Sequence, residues 1–139
     1  MEHIIAVDPG KTCGVAFFGW SFSSGEHSAQ NALALVHYVL AGSGAELVVC
    51  ESFVPRPGIR TWQPEALETI GALRYICQRE GIPFELQAPA DAKRFSTNDK
   101  LQLLGWRNPT PGGHADDAAR HLLLAAVRHG LIDPARFTT

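Results

Sequence analysis

The sequence predicts an α/β fold: a mixed sheet, antiparallel in its opening hairpin and parallel in its later strands, flanked by helices. Three observations carry this. Two apolar runs, Ile4–Val7 and Val15–Phe18, are separated by a Pro9-Gly10 turn, which reads as strand, turn, strand. Beyond them, stretches with helical spacing alternate with short apolar runs, the pattern of right-handed crossovers. One of those runs, Ala45–Cys50 (AELVVC), is nearly continuous in apolar residues, as a strand covered on both faces should be.

Taken in order, the hairpin is followed by the turn-rich Trp20–His27, with a short third strand within it. From Ser28 to Leu40, apolar Leu33, Val36, Val39 and Leu40 recur at helical spacing, and Ala41-Gly42 ends the helix. The strand at 45–50 runs into Glu51. Ser52–Trp62 is a loop with two prolines, a glycine and two arginines. Gln63-Pro64 starts a second helix, proline being tolerated in a first turn. Its stripe is Ala66, Leu67, Ile70, Leu73, Ile76 and Cys77, and Gly81 stops it. Ile82–Gln87 returns as a strand. Ala90–Trp106 is mixed, with Lys93, Arg94 and Lys100 around a polar Ser-Thr-Asn-Asp break, and Asn108–Gly113 is a loop. His114–His129 forms the last helix, closed by Gly130.

At 139 residues the chain is expected to be one domain, 1–139, with a sizeable core. Twelve Lys plus Arg against fourteen Asp plus Glu leave a net charge of −2. There is thus no global attraction for nucleic acid, and such binding requires a local basic patch. A nuclease stays open, because its active site is itself acidic. The three cysteines, Cys13, Cys50 and Cys77, sit in apolar runs without metal-ligand spacing, as buried hydrophobes of a reducing compartment do. A strand begins within three residues of Met1 and no apolar run nears the roughly 20 residues of a membrane span, so a cytoplasmic protein is expected.

Function in open sheets gathers at the carboxyl ends of parallel strands, and Asp8 and Glu51 both end strands there. If those strands are neighbours, two carboxylates lie side by side, which is costly unless a cation or a shared proton resolves it. The last helix opens with Gly112-Gly113-His114-Ala115-Asp116-Asp117. Residues three apart share a helix face, so His114 and Asp117 point together while Asp116 turns away. Hard oxygen ligands with one imidazole suit Mg²⁺ or Mn²⁺ better than a closed zinc site. Each signal has an ordinary reading beside this one: Asp8 as a turn residue, Glu51 as a solvated strand end, Asp116-Asp117 as complements to the helix dipole. Their order and placement make the joint case.

The opening IIAVDPGKTCGVAFF resembles that of the RuvC-type Holliday-junction resolvases of the ribonuclease H-like superfamily. LVVCESF resembles their second acidic strand and HADDAARHLL their closing acidic helix, and the order of elements matches over nearly the whole chain. A compact, phage-type member is indicated. The resemblance implies a nuclease that hydrolyses phosphodiesters in four-way junctions and other branched DNA. It also implies a metal site of Asp8, Glu51, His114 and Asp117 and a twofold homodimer. Two Mg²⁺ or Mn²⁺ ions would be bridged by Asp8 and anchored on either side by Glu51 and Asp117. His114 would complete a ligand set or position the water. Lys100 is placed at the scissile phosphate or the water.

Lys11, Arg56, Arg60, Lys93, Arg94 and Lys100 either contact phosphates or are ordinary surface charges. Arg56 and Arg60, in the loop beside Glu51, are the stronger candidates. Phe53 either takes the part of the family's junction-opening aromatic, one residue nearer the acid than usual, or packs under its loop. The 66–77 stripe serves a dimer interface or the core. Two other readings compete: a YqgF-type nuclease acting on RNA, which usually lacks an acid in the place of Glu51, and a catalytically silent DNA-binding module.

Overall fold

The computed structural model describes residues 2–42, 44–53 and 64–138. Five strands form one sheet: β1 (Ile4–Asp8), β2 (Thr12–Phe18), β3 (Phe22–Ser28), β4 (Leu47–Glu51) and β5 (Phe84–Gln87), in the order β3-β2-β1-β4-β5. The β1–β2 and β2–β3 pairs are antiparallel, and β1–β4 and β4–β5 are parallel. The helices are α1 (Ala29–Ala41), α2 (Pro64–Glu80), α3 (Pro89–Phe95), α4 (Asn98–Leu104) and α5 (His114–Arg128). The mixed sheet expected from the opening hairpin and the later crossovers is therefore present, with helices on both faces.

Alternation along the strands divides the core in two. Ile4, Ala6, Ala16, Leu47 and Val49 pack with Leu101, Trp106 and the α5 residues Ala118, Leu122 and Leu123. Ile5, Val7, Val15, Val48 and Cys50 pack on the other side with Val36 and Leu40 of α1 and Leu73 and Cys77 of α2. The α2 stripe is thus core: Ala66, Ile70, Leu73 and Cys77 are buried, while Leu67 is exposed. Phe53 packs against this second cluster, half-buried. Burial pushes the Cys13 and Cys50 thiols up, and that of Cys77 to about 11, so all three are neutral packing groups.

The turn-rich stretch after Trp20 is a full seven-residue strand, β3, paired along the whole of β2. Its sequence, FSSGEHS, carries no apolar alternation because it is an edge strand. The mixed 90–106 stretch resolves into two short helices. Pro89 opens α3, and Thr97 caps α4 by accepting from the Lys100 N–H. No described helix is long and apolar enough to cross a membrane.

Candidate active site

The same alternation that sends Ile4 and Ala6 toward α5 sends Asp8 there too, and Leu47 and Val49 do the same for Glu51. Register lines the strands' ends into a single row. Gly14 is the partner of both Asp8 and Glu26, and Glu51 is the partner of Gln87. The β1–β4 ladder runs to Val7 opposite Cys50, so Asp8 and Glu51 are the next rung. Glu26, Gly14, Asp8, Glu51 and Gln87 thus cross the sheet side by side beneath α5.

Helix α5 is seated on this row from its first residue. A Cβ on Gly14 would lie 1.8 Å from the His114 carbonyl oxygen, so only glycine lets the helix come down so closely on β2. The N-cap residue, Gly113, has φ +71° and no side chain to offer. Glu26 of β3 substitutes for a local cap. Its Oε1 accepts from the His114 N–H at 2.9 Å and from the Thr110 hydroxyl. Those bonds hold the Glu26 carboxyl below its usual range.

With the helix so placed, His114 Nδ1 lies 2.9 Å from Asp8 Oδ2. Asp8, His114 and Asp117 each offer a ligand atom within 4.8 Å of one another, a grouping found here among the described residues. Glu51 lines the same cavity, with Lys11, and shares a hydrogen bond with Asp8. Asp8 is only 5% exposed. Burial, the Glu51 charge and hydrogen bond, and the Asp117 charge push its carboxyl up to about 9, with Lys93 pulling the other way. Burial also acts to raise Glu51, but the hydrogen bonds from His121 and Asp8 outweigh it and hold Glu51 below its usual range. The two carboxyls therefore titrate as a pair, with Asp8 pushed up and Glu51 held down.

The remaining sequence candidates fall in three groups. Lys93 is exposed on α3 and acts on both Asp8 and Glu51. Arg94 is exposed one residue further on. Lys100 is engaged elsewhere: its Nζ donates to the Phe95 carbonyl at 2.8 Å and sits 3.9 Å over the Phe95 ring. Arg56 and Arg60 lie outside the described residues. Asp116, turned away from its neighbour as the helical spacing requires, is buried and accepts from Arg107 Nε and the Asn108 N–H, both at 2.8 Å.

Three acids and bases at the site escaped sequence reasoning. Glu65, in the first turn of α2, lines the cavity but carried no spacing signal. Glu26 lies in the strand without alternation. His121 is 1% exposed, with Nε2 3.1 Å from Glu51 Oε1 and Nδ1 2.9 Å from Gln87 Oε1. Its signal was legible: His114, Asp117 and His121 stand at i, i+3 and i+7 on one helix face. Asp117 has its own neighbour, Arg120, whose Nε is 3.6 Å away. Arg120 also donates to the Ser96 carbonyl and Asn98 Oδ1, so Asp117 is tied to the α3–α4 junction.

The mixed sheet, in the order β3-β2-β1-β4-β5 with helices on both faces, is a ribonuclease H-like fold similar to that of RuvC. T. thermophilus RuvC, solved in complex with a Holliday junction substrate, superposes with a TM-score of 0.69 at 18% identity, over 94% of this chain and 96% of that one. The yeast mitochondrial Holliday junction resolvase Ydc2 matches with a TM-score of 0.51 at 15% identity, covering 90% of this chain and 76% of its own. YeaZ from Pseudomonas aeruginosa matches at 0.52 and 14% identity, over 73% of this chain and 51% of that one. No protein-family model and no curated protein sequence matches the chain.

Proposed function

We propose that this protein is a structure-selective, divalent-cation-dependent endonuclease that resolves four-way DNA junctions, and other branched DNA, by phosphodiester hydrolysis. The observation that carries the reading is the meeting of Asp8, His114 and Asp117 ligand atoms within 4.8 Å, beside Glu51, in a RuvC-type fold. The donor set fits the proposed ions. Three carboxylates with one imidazole form a hard, oxygen-rich cluster, with Asp8, Glu51 and Asp117 crowding negative charge that a cation would offset. Asp8, Glu51, His114 and Asp117 would hold Mg²⁺ or Mn²⁺, with Asp8 central, buried and adjacent to the other three. Such ions supply Lewis acidity toward a phosphoryl oxygen and lower the pKa of a bound water.

The chain's own groups do the rest. His114, anchored through its backbone by Glu26, keeps Asp8 oriented. Lys93 and Lys11 on the rim, with Arg94, supply positive charge for the flanking phosphates, and Arg56 and Arg60 are further candidates for phosphate contact by their sequence position after Glu51. Lys100, held on Phe95, supports the α3–α4 segment instead of the reacting phosphate. Phe53, packed on the core, serves the fold around Glu51. One chain carries one site, so symmetrical cutting of a junction calls for a twofold dimer. A cytoplasmic setting accords with the three free, buried cysteines.

The test is a panel of end-labelled four-way junctions, forks, flaps and structured RNAs incubated with Mg²⁺ or Mn²⁺. The parent should cut junctions and be silenced by EDTA, and Asp8→Asn should bind DNA without cutting. Cleavage confined to RNA would favour the RNA-nuclease reading. Equal cutting by Asp8→Asn would overturn the proposal.

A further inference from the structure

His121 is a buried imidazole that the metal cluster does not contain. Both ring nitrogens face polar atoms: Nε2 is 3.1 Å from Glu51 Oε1, and Nδ1 is 2.9 Å from Gln87 Oε1. Buried side chains of this kind are kept only when their polar atoms are matched. An ionised Glu51 can only accept, so Nε2 must carry the proton it donates. Nδ1 of the neutral ring is then a lone pair that needs a donor. Gln87 has that donor on the same amide, and its Nε2 is buried with no partner. Turning the amide about its last bond brings the N–H to Nδ1 and satisfies the ring. Gln87 is itself 3% exposed and fixed at the end of β5, in register with Glu51.

The geometry points to a new role: His121, braced by Gln87, is the positioning residue for Glu51. It occupies one carboxylate oxygen so that the other is presented to the Asp8 side of the cavity. This rests on the proposed nuclease reading and adds a specific device to it. Glu51, unlike Asp8, has no helix residue of the ligand cluster on it. A glutamate at a strand end has three side-chain torsions to fix, and the imidazole fixes them. Outer partners that orient metal-binding carboxylates typically account for 10–100-fold in affinity or rate.

The test uses the full chain and Mn²⁺ alone, titrated by calorimetry without DNA, alongside junction cleavage and thermal unfolding. His121→Leu should weaken Mn²⁺ binding by about 10–100-fold and lower kcat similarly, with KM for the junction unchanged. His121→Gln, which returns an N–H near the place of Nε2, should recover a large part of both. Gln87→Leu, further from the acids, should give a smaller loss and keeps the proposal testable if His121→Leu unfolds. Combined with His121→Leu it should add nothing. Parent-like Mn²⁺ affinity and kcat in folded His121→Leu or in Gln87→Leu, while Asp8→Asn has lost both, would overturn this role and leave the nuclease reading standing. A parent that neither binds Mn²⁺ nor cuts would overturn both.

Discussion

Replacing Asp8 by asparagine should make the metal-free protein more stable while destroying its site. Asp8 keeps its proton to about 9 in the fold, against an ordinary 3.8, because it is buried against Glu51 and Asp117. An unfolded chain at pH 7.5 has released that proton, so the folded chain binds more protons and loses stability as pH rises from about 4 toward 9. At about 1.4 kcal/mol per pH unit between 3.8 and 7.5, the ceiling on this cost is roughly 5 kcal/mol. Glu51 offsets part of it: its lowered carboxyl contributes stability above its own ordinary value, and that contribution is lost on acidification. Asparagine carries no titrating proton, and its amide N–H can replace the one shared with Glu51. A gain of about 2 kcal/mol, or roughly 6 °C in Tm, is expected for Asp8→Asn at pH 7.5 in EDTA. Thermal unfolding by circular dichroism from pH 5.5 to 8.5 reads this directly, with the parent sloping downward and the variant flatter. Mn²⁺ at about 100 times its Kd should then stabilise the parent by about 2.7 kcal/mol and leave the variant unmoved. An Asp8→Asn protein less stable than the parent at pH 7.5 in EDTA would refute the reasoning.

Other consequences follow from the seating of α5 and from the basic rim. Gly14→Ala sets a Cβ against the His114 carbonyl, so the first turn of α5 must move. Stability should fall by about 1–3 kcal/mol, and Mn²⁺ binding should be lost even in protein that remains folded, as calorimetry would show. Glu26→Ala removes the acceptor for the His114 N–H, so hydrogen exchange should accelerate at the start of α5 and nowhere in its second half. Lys93→Ala should slow cleavage and reduce the salt slope of junction binding by about one, whereas Lys100→Met should do neither. A Lys100→Met loss matching that of Lys93→Ala would return Lys100 to the reacting phosphate.

What was legible in the sequence is what local periodicity encodes. The alternation of Ile4 to Val7 fixes which face Asp8 takes, and the three-residue step from His114 to Asp117 fixes theirs. Two short runs ending in acids therefore placed Asp8 and Glu51 at strand ends before any contact was known, and the β1–β4 pairing makes those ends neighbours. Partners brought together only by the sheet were not legible. Glu26 reaches His114 across 88 positions with nothing in either neighbourhood to signal the other, and although the helical spacing puts His121 on the His114–Asp117 face, nothing local pairs it with Glu51, 70 positions away. β3 was underestimated because an edge strand needs no apolar face, and its pairing is supplied by the length of β2. Lys100 illustrates the converse. The family resemblance implied a lysine at the reacting phosphate, whereas in the fold the Lys100 ammonium lies on the Phe95 carbonyl and ring.

The contact between Asp8 and His114 spans 106 positions of the chain. A cation gripping the first strand and the last helix would act as a removable crosslink, closing a loop of that size much as a disulfide does, but reversibly. It would tether the helix that covers this face of the sheet's centre to the strand at that centre, so release of the ion would loosen the α5 face together. Until α5 docks, Asp8 and Asp117 belong to separate parts of an open chain and no such site exists. The ligand cluster would therefore form only in a chain whose last helix is already seated on its first strand.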